Sequence, residues 1–324
     1  MNDAANASFT DVTFSENHAN GGGGAVYNND VHGPANVQFT SVTFTGNDAP
    51  VAAGAVFNDL HSPASQARFD HVTFQDNIIT GAAVGGAVNT AGNAVFRDVL
   101  FARNGGAAQR GGAIANFGDL TVDGASFVGN NAFDGGAVAN SPLTGGSATA
   151  LISNATFWKN TASGNGGAIY NGAASIALRN VTFGGNVAYA GGALADLSIE
   201  SSTSGATISN AIFWGDSAGS GAEINVGAGS TAAIDHSIVQ TGCPAGATCS
   251  TLSSADPLLG LFQLYGGFTP ALMPAANSPA LDNGANCPAT DQRGVARPQG
   301  AACDIGAVER RAVEDYLFNN GFDW

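Results

Sequence analysis

One phenylalanine that keeps returning constrains this chain more than any other feature. It stands at Phe14, Phe44, Phe74, Phe101, Phe127, Phe157, Phe183 and Phe213, with Val239 as a ninth member. The steps are 30, 30, 27, 26, 30, 26, 30 and 26 residues. A return to the same side chain at such intervals marks stacked units, each touching only its neighbours. Three residues after each phenylalanine comes Asn17, Asn47, Asn77, Asn104, Asn130, Asn160, Asn186 and finally Asp216. Further on, a Gly-Ala-aliphatic cluster ends in Asn28, Asn58, Asn116, Asn140, Asn171, Asp196 and Asn225, with Asn89 one place early. A third polar column precedes the phenylalanine by three: Asp11, Ser41, His71, Asp98, Gly124, Asn154, Asn180, Asn210 and His236.

These three columns read as three corners, because Asn, Asp and Gly tolerate the left-handed backbone of a sharp bend. Side-chain parity supports a bend. Val12 and Phe14 share a strand face, but Phe9 lies five before Phe14 and would point away unless the chain turns at Asp11. Each repeat is then one coil of three short strands. Coils stacked about 4.8 Å apart place like residues over like. The predicted fold is all-β, a parallel β-helix of about eight or nine coils. The asparagines Asn17, Asn47, Asn77, Asn104, Asn130, Asn160 and Asn186 are expected to pair their amides up an internal ladder, since an orphaned buried amide costs roughly 1–3 kcal/mol. Residues 1–240 form the repeats. Residues 241–309 read as a terminal coil and cap over the last open edge, and 310–324 as a tail.

Composition agrees. Of 324 residues, 46 are glycine and only 11% are charged, which disfavours long helices. The formal net charge is −15, with Lys159 the one lysine and nine scattered arginines. That argues against a nucleic-acid partner and against anionic lipid. It leaves weak Ca²⁺ binding open without a specific site, and no other cofactor is indicated. No run of eighteen apolar residues occurs, so no membrane span is expected. Met1 is followed by "NDAANASF", which lacks the basic start of a signal peptide, so the expectation is a truncated start or a missing preceding segment. The four cysteines, Cys243, Cys249, Cys287 and Cys303, allow three pairings. Proximity favours Cys243–Cys249 and Cys287–Cys303; reduced thiols are the competing reading. Zinc is disfavoured, because the segment has no C-x-x-C spacing and no histidine.

Phe-x-x-Asn alternating with Gly-Gly-Ala-aliphatic resembles the polymorphic outer-membrane-protein repeat. "GGAIYN" at Gly166 to Asn171 and "NVTFGGN" at Asn180 to Asn186 carry the likeness. The C-terminal part resembles the choice-of-anchor Q region of bacterial surface proteins. The matching pieces are "DPLLG" at Asp256, "NSPALDNG" at Asn277 and "CPATDQRGVARPQGAACDIGAVE" from Cys287 to Glu309, with "SNAIFWGD" and "HSIVQ" before them. These resemblances imply a right-handed β-helix on a secreted or surface-attached bacterial protein. They imply adhesin-like or passenger roles and no assigned catalytic residue. The last nine residues, "YLFNNGFDW", loosely resemble short C-terminal tails on such proteins.

Parallel β-helices also carry polysaccharide lyases and hydrolases, whose chemistry needs paired acids and bases on one face. Asp70, Arg97 and Asp123 fall on successive coils of one outer column. They are the candidate acid–base cluster of a pectate-lyase-like lyase or a glycoside hydrolase. The competing reading is an exposed charge ladder worth at most about 1 kcal/mol per pair. Trp158 and Trp214 point outward two coils apart and are candidates for stacking on sugar rings in a carbohydrate-binding module. Alternatively they cover an apolar patch beneath a loop or the cap. His71 and His236 fit corner roles better than a metal site, and Asp291 and Arg293 are expected to pair with each other. The leading expectation is a non-catalytic, monomeric, extracellular or outer-membrane protein of adhesion or display, whose partner is a host or cell-surface glycan or protein.

Overall fold

Each phenylalanine sits over the last. In the computed structural model, which describes residues 2–3, 6–143, 146–199 and 202–311, Phe44 pairs with Phe14 and Phe74, and the register continues through Phe101, Phe127, Phe157, Phe183 and Phe213 to Val239. The rings stack with centroids 4.5–4.9 Å apart. A second inward column runs Phe9, Phe39, Phe69, Phe96, Val122, Ile152, Leu178, Ile208, Ile234 and ends on Cys249. Its phenylalanines meet the first stack edge-on, as Phe69 does Phe74 at 5.6 Å. Parallel stacking at strand spacing and edge-to-face contact across the core are both favoured aromatic geometries.

The strands are parallel from coil to coil, and no helix occurs among the described residues. A broad sheet of thirteen strands includes Gln66–Gln75, Asn93–Ala102, Asp119–Val128, Thr149–Trp158 and Ser175–Gly184. A nine-stranded sheet follows the Gly-Ala cluster, with Ile114–Asn116, Val138–Asn140 and Ile169–Gly172 at its centre. The remaining face is made of very short strands, such as Ile78–Ile79 and Asn131–Ala132.

The first corner lies where the sequence places it. Every residue from Asp11 to His236 in that column is left-handed, with φ between 43° and 74°. The other two corners do not. At the second, the left-handed residue is the one before the asparagine: Glu16, Gly46, Asp76, Arg103, Gly129, Lys159, Gly185 and Gly215. At the third it is the first glycine of the Gly-Gly pair, as at Gly111 (φ 67°). The physical reason is that the asparagines are needed inside, so a neighbour takes the bend. The second glycine of the pair answers a different need. A Cβ on Gly112 would run into the Gly136 carbonyl oxygen of the next coil.

The buried asparagines form two ladders. In the first, each Oδ1 accepts the backbone N–H and the Nδ2 of the preceding coil's asparagine, at 2.7–3.1 Å, from Asn17 to Asp216. Each Nδ2 from Asn47 to Asn186 also donates to a phenylalanine carbonyl one coil back, at 2.9–3.1 Å. In the second ladder Asn116, Asn140 and Asn171 donate in turn, ending on Asp196, at 2.7 Å per step. This ladder is interrupted. Thr90, not Asn89, pairs with Asn58 and Asn116, and the buried Asn58 Nδ2 has no partner among the described residues. At the other end Val226, not Asn225, pairs with Asp196.

Both disulfides are those that proximity favoured, Cys243–Cys249 at 2.03 Å and Cys287–Cys303 at 1.97 Å. The strand Ala247–Ser253 lies on the last coil. Beyond it, the segment expected as an end cap runs back along the flank of the coils. Its hairpin, Leu259–Gln263 with Ala271–Pro274, and its loops rest on the outward side chains Ser126, Thr156, Thr182 and Ile212. Of the segment expected as a tail, residues 312–324 lie outside the described residues.

Two substitutions test this packing in denaturant unfolding. Thr90→Asn gives Asn58 an acceptor and is expected to raise stability by about 1 kcal/mol. Gly112→Ala is expected to lower it by roughly 3 kcal/mol, because backbone blocks the added methyl.

Candidate functional site

The outer column brings the candidate charges together in register. Arg97 pairs with Asp70 on one side and Asp123 on the other. Its Nη1 lies 3.8 Å from the Asp70 carboxylate, and the Arg97 side chain is 48% exposed. A contact that long and that wet is a weak one. Asp123 is held elsewhere: its Oδ1 accepts the Ser153 hydroxyl at 3.1 Å and the Asn154 amide at 2.8 Å.

The first corner adds two groups the sequence reading assigned only to turning the chain. His71 Nε2 lies 3.6 Å from the Asp98 carboxylate. Burial pushes the Asp98 carboxyl up, and His71 opposes this; Asp123 and Asp70 push it further up, and Arg97 opposes them. The corner bend carries these two side chains beside Asp70 and Arg97. The signal was available, since both columns were aligned, but polar corner residues have a sufficient backbone reason to be there. The result is a shallow mixed cluster of three aspartates, an arginine and a histidine. Phe268, edge-on to His71 at 5.3 Å, borders one side.

The tryptophans are packed by the returning C-terminal segment. Trp158 covers Gly184 and lies 6.0 Å from Phe262, with their planes 20° apart. Lys159 sits 5.0 Å over the same indole. Trp214 packs with Leu259 against Ile212, Ile238, Ala280 and Ile305. Both indoles nevertheless keep part of their surface exposed.

Polar groups fix the same segment. The buried Gln292 accepts from Thr156 Oγ1 at 2.6 Å and donates to Ser126 Oγ at 2.8 Å and Thr269 Oγ1 at 2.9 Å. Asp291 and Arg293 pair at 2.8 Å, and Arg297 and Glu309 at 2.9 Å, all four side chains at most 1% exposed. Such pairs enforce one arrangement more than they add stability, since desolvation offsets much of the attraction. Sequence reasoning saw the first pair but had no signal for Gln292, whose partners are 136 and 166 residues away.

Alongside, an open groove of about 600 Å³ crosses the broad sheet from Asp119 to Thr248, past Thr121, Leu151, Ala177 and Thr207. Among the described residues no group of three His, Cys, Asp or Glu side chains is placed to hold a metal. No helix among them is long and apolar enough to cross a membrane. Trp158→Ala is expected to lower unfolding stability by about 2 kcal/mol, with faster proteolysis between residues 254 and 311; an unchanged midpoint would mean the segment does not depend on this contact.

Residues 11–29 and 154–172 match the family model of the Chlamydia polymorphic membrane protein repeat. Both matches start at a first-corner residue, Asp11 or Asn154, and run to the end of the Gly-Ala cluster, so they fall in the same register of the coil. No curated protein and no solved structure matches the chain. With its coils stacked in that register, the chain is a parallel β-helix with repeats of the polymorphic-membrane-protein type.

Proposed function

We propose that this β-helix is a non-catalytic passenger at the bacterial cell surface or outer membrane, acting in adhesion or display. The repeat match supports association with the cell surface. The resemblance of residues 256–309 to choice-of-anchor regions supports attachment there. One observation carries the non-catalytic part: Arg97 and Asp70 are 3.8 Å apart on an open face, and Asp123 is committed to Ser153 and Asn154. Catalytic acids and bases need burial to hold their proton affinities apart. The partner in this reading is a host or cell-surface glycan or protein, met along the outward faces of the coils.

Two assays on the purified chain test it. Beads coated with the protein should adhere to cultured cells or to a glycan array above an uncoated control. The chain should release no unsaturated product from polygalacturonate or alginate with Ca²⁺. Lyase activity that vanishes in Arg97→Ala would replace this reading with an enzymatic one.

A further inference from the structure

Both amide ladders end on an aspartate, and both aspartates have an oxygen where the ladder needs a hydrogen. Along the first ladder each rung from Asn47 to Asn186 does two jobs. Its Oδ1 accepts from the preceding coil, and its Nδ2 donates sideways to a phenylalanine carbonyl, as Asn186 does to Phe157 at 3.1 Å. Asp216 does the first job with one oxygen, accepting the Asn186 N–H and Nδ2 at 2.7 Å each. Its Oδ2 then stands where the amide nitrogen would be, facing the place of the Phe183 carbonyl in the repeat. That oxygen is buried and has no partner among the described residues. Two acceptors cannot satisfy each other without a proton between them.

The second ladder repeats the pattern independently. Asp196 Oδ1 accepts from Asn171 Nδ2 at 2.7 Å and from Ser204 Oγ at 2.5 Å. Its Oδ2 is buried and without a partner among the described residues. In the preceding rung the atom at that place, Asn171 Nδ2, donates to the Ala174 carbonyl at 3.0 Å.

We propose that Asp216 and Asp196 are held as neutral carboxylic acids whose protons complete the last rungs, making the stability of the C-terminal coils proton-dependent. The strand Ile212–Trp214, which leads into Asp216, also meets the returning segment. Trp214 and Ile212, just before Asp216, pack against Leu259, Ala280 and Ile305.

The charges around the two groups agree. Burial pushes the Asp216 carboxyl up to about 8 and Asn186 opposes this; among the described residues the one charged side chain acting on it is the buried Glu223, which pushes the same way. Burial also raises Asp196, opposed by Ser204 and Asn171; among the described residues no charged group acts on it. An unfolded aspartate loses its proton near pH 4. Between there and the folded value the native state holds a proton that the unfolded chain does not, so stability falls as pH rises. For Asp216 the loss is about tenfold in the folding constant per pH unit, ending near about 8. Asp304, raised by burial to about 6, contributes only below that.

The test is the unfolding equilibrium of the full chain between about pH 6 and pH 8, wild type against Asp216→Asn. The amide supplies the missing donor without a proton. The variant should lose this tenfold change in the folding constant per pH unit and be more stable than the wild type near pH 8. An unchanged slope, or lower stability there, would overturn the proposal. If the variant does not fold, the wild type with labelled aspartate carboxyls decides. A protonated-carboxyl infrared band at neutral pH supports the assignment, and its absence contradicts it.

Discussion

A buried amide must find partners for both its ends, and in this chain that requirement organises everything else. An asparagine inside a stack of coils meets it only if the coils above and below carry asparagine at the same place. The first ladder satisfies it without a break from Asn17 to Asp216. Once the ladder fixes the register, the phenylalanines three residues earlier are placed over one another, and the glycines must clear the next coil's backbone. The ladder even decides where the chain turns. Arg103 and Lys159 adopt φ near 54° beside asparagines that would bend more readily. A left-handed L-residue costs about 1–2 kcal/mol. The two amide bonds and the carbonyl bond made by each neighbouring rung offset that cost.

The period, the inward columns and the first corner were legible because each repeats in every coil. What was misread failed for local reasons. The second and third corners are off because tolerance of the left-handed region says where a residue can bend, not where it is needed. Asn89 and Asn225 were misplaced because coils differ in length, and Thr90 or Val226 could not be told from a neighbour without the strand pairing. The returning segment was legible only in its Cys287–Cys303 bridge and its Asp291–Arg293 pair, not in its path. It has no period, and its path is set by single contacts such as Gln292 with Thr156, far apart in sequence. The outward tryptophans were the one hint, and they lie beneath it.

This division also bears on function. The interior is occupied by ladder and stack, and part of one flank by residues 254–311. What remains for recognition is the outward chemistry of the coils: the mixed charged corner around Arg97 and the open, threonine-bearing groove. Such a surface suits many weak contacts along a length, and the repeat found in two coils agrees with a place at the cell surface.

The central claim is that continuous amide pairing holds the coils in register, and Asn104 tests it most directly. Its side chain accepts two bonds from Asn77 and donates to Asn130 and to the Phe74 carbonyl, at 3.0 Å each. Replacing it with leucine strands the buried donors of Asn77 and the Phe74 oxygen. Denaturant unfolding of Asn104→Leu should show a loss on the order of 3 kcal/mol or more. A midpoint equal to that of the wild type would mean that the ladder does not hold the fold together.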